Sequence, residues 1–97
     1  MLSIIIPLRN EIDNLENIKE NFNKNLKNIK FEVIFVNDFS SDETFQKACE
    51  IAKGNANFKV FDNKKKGLGG AINLGIENSD GDYICIMMAD LSDDFND

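Results

Sequence analysis

The sequence predicts an α/β domain, a mainly parallel sheet with helices on both faces, in the order β-α-β-α-β-α-β. Three observations carry this. Short apolar runs alternate with segments whose apolar residues recur every three or four positions, the strand and helix signatures in turn. The runs are continuous rather than alternating with polar residues, which suits strands covered on both faces. Polar and acidic residues follow directly on the first, second and fourth runs, where open α/β sheets bind ligands outside the carboxyl ends of their strands.

Leu2 to Pro7 (LSIIIP) reads as the first strand, with Pro7 marking its end because proline cannot donate to a ladder. Asn10 is the expected N-cap of the first helix, in which Ile12, Leu15, Ile18, Phe22 and Leu26 form one face. Its Asn- and Lys-rich remainder is a solvated surface. Phe31 to Val36 (FEVIFV) is the second strand. Ser40 and Glu43 have capping-box spacing, so a helix is expected to begin there, with Phe45, Ala48, Cys49 and Ala52 inward and Gly54 just past its end. Phe58 to Phe61 is a short third strand. The segment Lys64-Lys65-Lys66-Gly67-Leu68-Gly69-Gly70 is a basic, glycine-rich turn. A helix from about Gly70 to Asn78 follows, packing through Ala71, Leu74 and Gly75. After the turn Ser79-Asp80-Gly81, Tyr83 to Met88 is the fourth strand, expected to be buried on both faces. It runs straight into the acidic stretch holding Asp90, Asp93 and Asp94.

With 97 residues the chain is expected to form one small domain, 1–97, with a thin stability margin. A net charge of −6 argues against a nucleic-acid partner. No run is long enough to span a bilayer, and MLSIIIPLRN lacks the basic start of a signal peptide. Cys49 and Cys85 sit in apolar contexts and read as buried thiols in a reducing cytosol, hence a cytoplasmic protein. The absence of His removes the usual general base and the usual zinc ligand.

The strand ends gather the chemistry-bearing residues. Asn10 and Glu11 follow the first strand, Asp38 the second and Asp90 the fourth, and a parallel sheet places all of these along one edge. Asp38 is either a local turn acceptor or an acceptor for a base or ribose. Asp90, with Ser92 two residues on, offers hard oxygen ligands of the kind that hold Mg²⁺ or Mn²⁺ beside a diphosphate, whereas Asp93 and Asp94 read as solvated. The Lys64–Gly70 segment, including Lys66 and Gly67, is either a solvated basic turn or a phosphate cradle of backbone N–H groups at a helix start. It is not a Walker A motif, and GLGGAINLG lacks dinucleotide-fingerprint spacing. A nucleotidyltransferase would want a glycine-rich basic loop after the first strand, where this chain has PLRNE.

The segments IIIPLRNE, FEVIFVNDFSSDET, KGLGGAINLGIENSDGDYI and MMADLSDD, in this order and spacing, resemble the family 2 glycosyltransferases, most closely their polyprenol-phosphate (dolichol-phosphate) mannosyltransferase-like branch. The resemblance implies a GT-A fold, of which these residues form the N-terminal nucleotide-binding half. It also implies a nucleotide-diphospho-sugar donor, Mg²⁺ or Mn²⁺, and an acceptor such as a membrane polyprenyl phosphate, with work at the cytoplasmic membrane face. By the same resemblance Pro7, Arg9 and Glu11 contact the nucleotide, Val36 and Asp38 the base and ribose, and Met88, Ala89 and Asp90 cover the DxD-type motif, with Ser92 assisting the metal. Arg9 stands where the family frequently has Tyr, Asn37 where it often has Asp, Met88 in place of the motif's first Asp, and Phe95 where Pro is common. The acceptor site and catalytic base belong to the family's second half, so no catalytic residue is assigned here. The chain then reads as the truncated donor-binding half of a transferase or as an inactive remnant. In the second case a partner chain or another copy would cover the open edge beyond the fourth strand.

Overall fold

The computed structural model describes residues 1–89. Its elements are β1 (Leu2–Leu8), a 3₁₀ turn (Ile12–Asn14), α1 (Leu15–Asn25), β2 (Phe31–Asn37), α2 (Thr44–Gly54), β3 (Phe58–Asp62), α3 (Leu68–Glu77) and β4 (Tyr83–Ile86). The strands form one sheet in the order β3-β2-β1-β4, and every pairing is parallel. The sequence expectation of a parallel α/β sheet with helices on both faces holds.

Strand alternation sorts the core into two layers. Ile4, Ile6 and Leu8 of β1, with Val33 and Phe35 of β2, meet Leu15, Ile18 and Phe22 of α1 and Ala48 and Ile51 of α2. The opposite side chains, Ile5, Ile34 and Val36, meet Ala71 and Leu74 of α3. β1 and β2 are therefore covered on both sides, as their continuous apolar runs require. Each fully buried Leu, Ile or Phe of these layers contributes about 1.5–3 kcal/mol of transfer free energy. Gly75 lets α3 lie directly on β1, because a Cβ there would run into the Ile5 side chain.

Several local expectations change. β1 runs through Pro7 to Leu8, with Pro7 opposite Val36. The Ile5 carbonyl accepts from Met87 N–H on the β4 side, and strand alternation turns the Pro7 nitrogen to that same side. β4 has already ended at Ile86, so the proline forfeits no ladder bond. Asn10 does not cap α1. A 3₁₀ turn intervenes, closed by Asn14 donating from its backbone N–H to the Glu11 carbonyl (3.0 Å) and from Nδ2 to Glu11 Oε2 (2.8 Å). α2 begins at Thr44, not near Ser40, because Asp42 Oδ1 accepts from the Thr44 backbone and hydroxyl. Its inward residues are consequently Thr44, Ala48 and Ile51, while Phe45 and Cys49 are only half-buried.

The largest correction concerns the fourth strand. It was expected to be buried on both faces, yet all four residues of β4 are exposed. Among the described residues β4 is the sheet edge, joined only to β1. Cys85 is therefore exposed, not buried as its apolar context suggested.

The amino ends of the strands are tied together by Glu32, which is 3% exposed. Its Oε2 accepts from the Ser3 hydroxyl (2.6 Å) and Asp80 N–H (2.7 Å), and its Oε1 pairs with Lys59 Nζ (2.8 Å). Gly81 N–H donates to Ser3 Oγ at 2.8 Å. A Cβ at Gly81 would lie 2.6 Å from the Met1 carbonyl and would also collide with Ser3 Oγ. This knot sets where the chain enters β4, and hence the register Leu2↔Tyr83.

Candidate functional site at the carboxyl edge of the sheet

The chain steps outward from β1 to β2 to β3, then crosses back to lay β4 on the other side of β1. The strand order thus reverses between β1 and β4, and their carboxyl ends border the crevice where α/β sheets of this kind bind ligands. Three loops meet at this edge.

The loop after β1 is fastened to the loop after β2 by Asn10. Its backbone N–H donates to Ser40 Oγ (3.0 Å), and its Oδ1 accepts from the backbone N–H groups of Ser41 (2.8 Å) and Asp42 (3.3 Å). Asn10 adopts the left-handed conformation, with φ 56°, to do so. Glu11 N–H donates to Thr44 Oγ1 at 2.9 Å, adding a second tie to the start of α2.

The loop after β2 is fastened in turn to the loop after β3 by Asp38, 5% exposed. Its backbone N–H donates to the Leu8 carbonyl at 2.7 Å. Its Oδ1 accepts from Gly67 N–H (3.0 Å) and Asn63 Nδ2 (3.1 Å). Asn63 Nδ2 also reaches the Lys65 and Gly67 carbonyls, so it folds the basic loop around itself. Gly67 has φ 138°, a conformation that a side chain would oppose. Asp38 is thus not a local turn acceptor: its Oδ1 is committed to holding the Lys64–Gly67 loop. Its neighbour Asn37 donates from Nδ2 to Asp62 Oδ1 at 3.0 Å, and Asn37 Oδ1 is buried with no hydrogen-bond partner among the described residues.

The remaining residues expected at the site fall as follows. Arg9, Lys64, Lys65 and Lys66 are exposed and form no ion pair among the described residues. The three lysines directly precede the start of α3, which has no side-chain cap. Uncapped N–H groups and unpaired cations together make an anion-attracting surface. Pro7 is buried, and the Val36 side chain is wholly enclosed in the α3-side layer, so Val36 offers the rim only its backbone. Met88 is partly exposed, and Ala89 is buried in the same layer as Leu8 and Leu15. Asp90 and Ser92, the expected metal ligands, lie outside the described residues, as do Asp93, Asp94 and Phe95. No group of three or more acidic, His or Cys side chains suited to a metal occurs among the described residues.

Residue-by-residue reading placed Asn10 on this edge without its role as a tie between loops, and missed Thr44 and Asn63. Their sequence signal was only an asparagine or threonine near a strand or helix end. A shallow hollow of about 390 Å³ lies at the other end of the sheet, lined by Met1, Phe31, Glu32, Lys59 and Asp80 among others. Its Glu32, Lys59 and Asp80 are paired with one another. The carboxyl edge, with unpaired cations and the strand-order reversal, is the better candidate.

Comparison with known proteins agrees with this fold. Residues 3–97 match the profile described as glycosyl transferase family 2. A dolichol-phosphate mannosyltransferase of Pyrococcus furiosus is 34% identical over 93% of this chain, which spans 26% of that protein. Among solved structures, a mannosyltransferase from Pyrobaculum calidifontis in complex with GDP-Man and Mn²⁺ superposes with a TM-score of 0.80 at 22% identity, over 92% of this chain and 27% of that one. S. aureus TarS in complex with UDP-GlcNAc superposes with a TM-score of 0.77 at 25% identity, over 92% of this chain and 26% of that one. The chain spans 26% to 30% of the length of the first three curated relatives it matches.

Proposed function

The chain belongs to glycosyl transferase family 2, and from that membership we propose that residues 1–97 form the donor-binding part of a transferase that moves a sugar from a nucleotide-diphospho-sugar to an acceptor. The observation that carries the proposal is the joining of three strand-end loops beside the strand-order reversal, through Asn10 and Asp38. In this reading Glu11, Asp38 and the backbone at Pro7 and Val36 receive the nucleoside. Arg9, Lys66, Gly67 and the start of α3 receive the diphosphate, whose charge the unpaired cations offset. Met88 and Ala89 precede Asp90 in the chain, and Ala89 is buried in the layer of Leu8 and Leu15.

Asp90 and Ser92 supply hard oxygen donors, the chemistry Mg²⁺ or Mn²⁺ prefers. A bound metal would neutralise charge on the departing diphosphate. A solved structure of the same fold is named as a complex with GDP-Man and Mn²⁺, which supports a divalent ion here. A relative named for dolichol phosphate supports a lipid-phosphate acceptor, which would place the protein at the cytoplasmic face of a membrane. No helix among the described residues is long and apolar enough to cross a membrane.

The test is calorimetric titration of GDP- and UDP-sugars with Mn²⁺ against the wild type, Asp38→Ala and Asp90→Ala. Saturable wild-type binding is expected, weakened by both changes, with Asp90→Ala also removing the Mn²⁺ dependence. Wild-type heats indistinguishable from dilution, or binding indifferent to both substitutions, would overturn the reading.

A second reading is favoured by one observation, the exposed edge strand β4. Here the domain is a nucleotide-binding module without catalysis of its own, completed by another chain along β4. Sugar transfer by the isolated monomer would exclude it.

A further inference from the structure

Phe39 combines two unfavourable features. Its backbone is left-handed, with φ 59°, a region that bulky side chains rarely enter. Its ring is also 46% exposed, so the strain is not repaid by burial in the core. Asn10 and Phe39 are the non-glycine residues with positive φ among the described residues, and both belong to the clamp between the β1 and β2 loops.

The mount is rigid on either side. Asp38 is pinned before the ring through Leu8, Asn63 and Gly67. Ser40 and Ser41 are pinned after it through Asn10. Strain held in place by such surroundings, on an exposed group beside a ligand crevice, points to a use for that group. Among the described residues no other phenylalanine ring is exposed: Phe22, Phe31, Phe35 and Phe58 lie in the core, Phe45 and Phe61 are half-buried, and Tyr83 pairs opposite Leu2 at the amino edge.

We propose that Phe39 is a stacking platform for the planar heteroaromatic base of a nucleotide whose phosphates lie toward Lys66 and Gly67. This rests on the donor-binding role proposed above and adds the residue that holds the base. Stacking tolerates any base, because each presents a π face. Phe39 therefore contributes affinity for the nucleoside without choosing between guanine and uracil.

The experiment titrates GDP, UDP and inorganic pyrophosphate into the wild type, Phe39→Gly and Phe39→Trp. Glycine accepts the left-handed backbone, so Phe39→Gly is expected to fold with a melting temperature at or above that of the wild type. Its affinity for GDP and UDP should fall about tenfold, with pyrophosphate binding unchanged. Phe39→Trp should keep nucleotide affinity. Its indole, the single one in a chain that otherwise lacks tryptophan, should be quenched by GDP and UDP but not by pyrophosphate. Nucleotide binding by Phe39→Gly as tight as by the wild type, or an equal loss for pyrophosphate, would overturn the assignment while leaving the donor-binding reading intact. A wild type that binds none of the three ligands would overturn both.

Discussion

Asp38 shows how a single side chain can organise a site at this scale. It is nearly inaccessible, and one of its oxygens joins Gly67 and Asn63. Removing it leaves the Gly67 N–H without its acceptor and takes one of three acceptors from Asn63 Nδ2, so Asp38→Ala should cost about 1–3 kcal/mol of stability apart from any effect on ligand binding. Asp38→Asn keeps an acceptor and should cost less, as thermal melts of the two variants would reveal. The cysteines differ for equally local reasons. Cys85 is exposed on β4. Cys49 is half-buried, and burial followed by the Asp62 carboxylate pushes its thiol above the usual range. Iodoacetamide at neutral pH should therefore label Cys85 well before Cys49, as mass spectrometry of peptides would record. Equal labelling rates would contradict this arrangement. Neither cysteine's environment was legible in the sequence, because both have apolar neighbours along the chain and differ only in what packs across them.

Among the elements, β4 depends most on others for its place. Its four residues pair only with β1, and the Glu32 knot fixes where it begins. Burial raises the Glu32 carboxyl, but the Asp80 N–H, the Lys59 ammonium and the Ser3 hydroxyl outweigh it and hold the group below the ordinary 4.5. Lys59, hydrogen-bonded to Glu32 and Asp80, is held above 10.5. The Glu32 contribution is thus complete above pH 4.5 and is lost as pH falls through its lower folded value. The Lys59 contribution is complete below pH 10.5 and is lost as pH rises through its higher folded value. Glu32→Gln should destabilise by about 1–3 kcal/mol at neutral pH, the partial exposure of Lys59 keeping the figure modest. The gap in melting temperature from wild type should stay level across the neutral range and close below pH 4.5. A gap that persists undiminished at pH 3 would show that charge is not what Glu32 supplies. Gly81→Ala should be at least as damaging, because backbone atoms of Met1 and Ser3 leave no space for a methyl group. Its predicted signature is early loss of amide protection along Tyr83–Ile86 by hydrogen exchange.

Across the whole molecule, cover is distributed unevenly. β1 and β2 are enclosed, whereas Tyr83, Ile84, Ile86 and Met88 leave an apolar edge open to solvent. Open, apolar strand edges pair with other chains. The isolated chain should therefore self-associate, its light-scattering mass rising with concentration. Charges introduced by Ile84→Lys and Ile86→Glu should restore the monomer mass without unfolding the sheet. A wild-type mass independent of concentration would mean that this edge is tolerated bare. The helices illustrate a related limit of pattern reading. α1 and α3 pack through the residues their periodicity predicts, Leu15, Ile18 and Phe22 in one and Ala71 and Gly75 in the other. The start of α2 was misplaced because Ser40, the apparent cap, is bound instead by Asn10 from a different loop.

Periodicity and run length in the sequence were enough to specify the alternating strands and helices, the parallel sheet and the edge on which Glu11 and Asp38 would stand. Those features follow from local propensity and from the need to bury each apolar run. Only the tertiary structure decided that every residue of β4 is exposed, that Asn10 and Asp38 fasten three loops into one rim, and that Phe39 is held exposed in a strained backbone. Each of these depends on partners distant in the sequence, and an apolar run or a lone Asn looks the same whichever partner it meets.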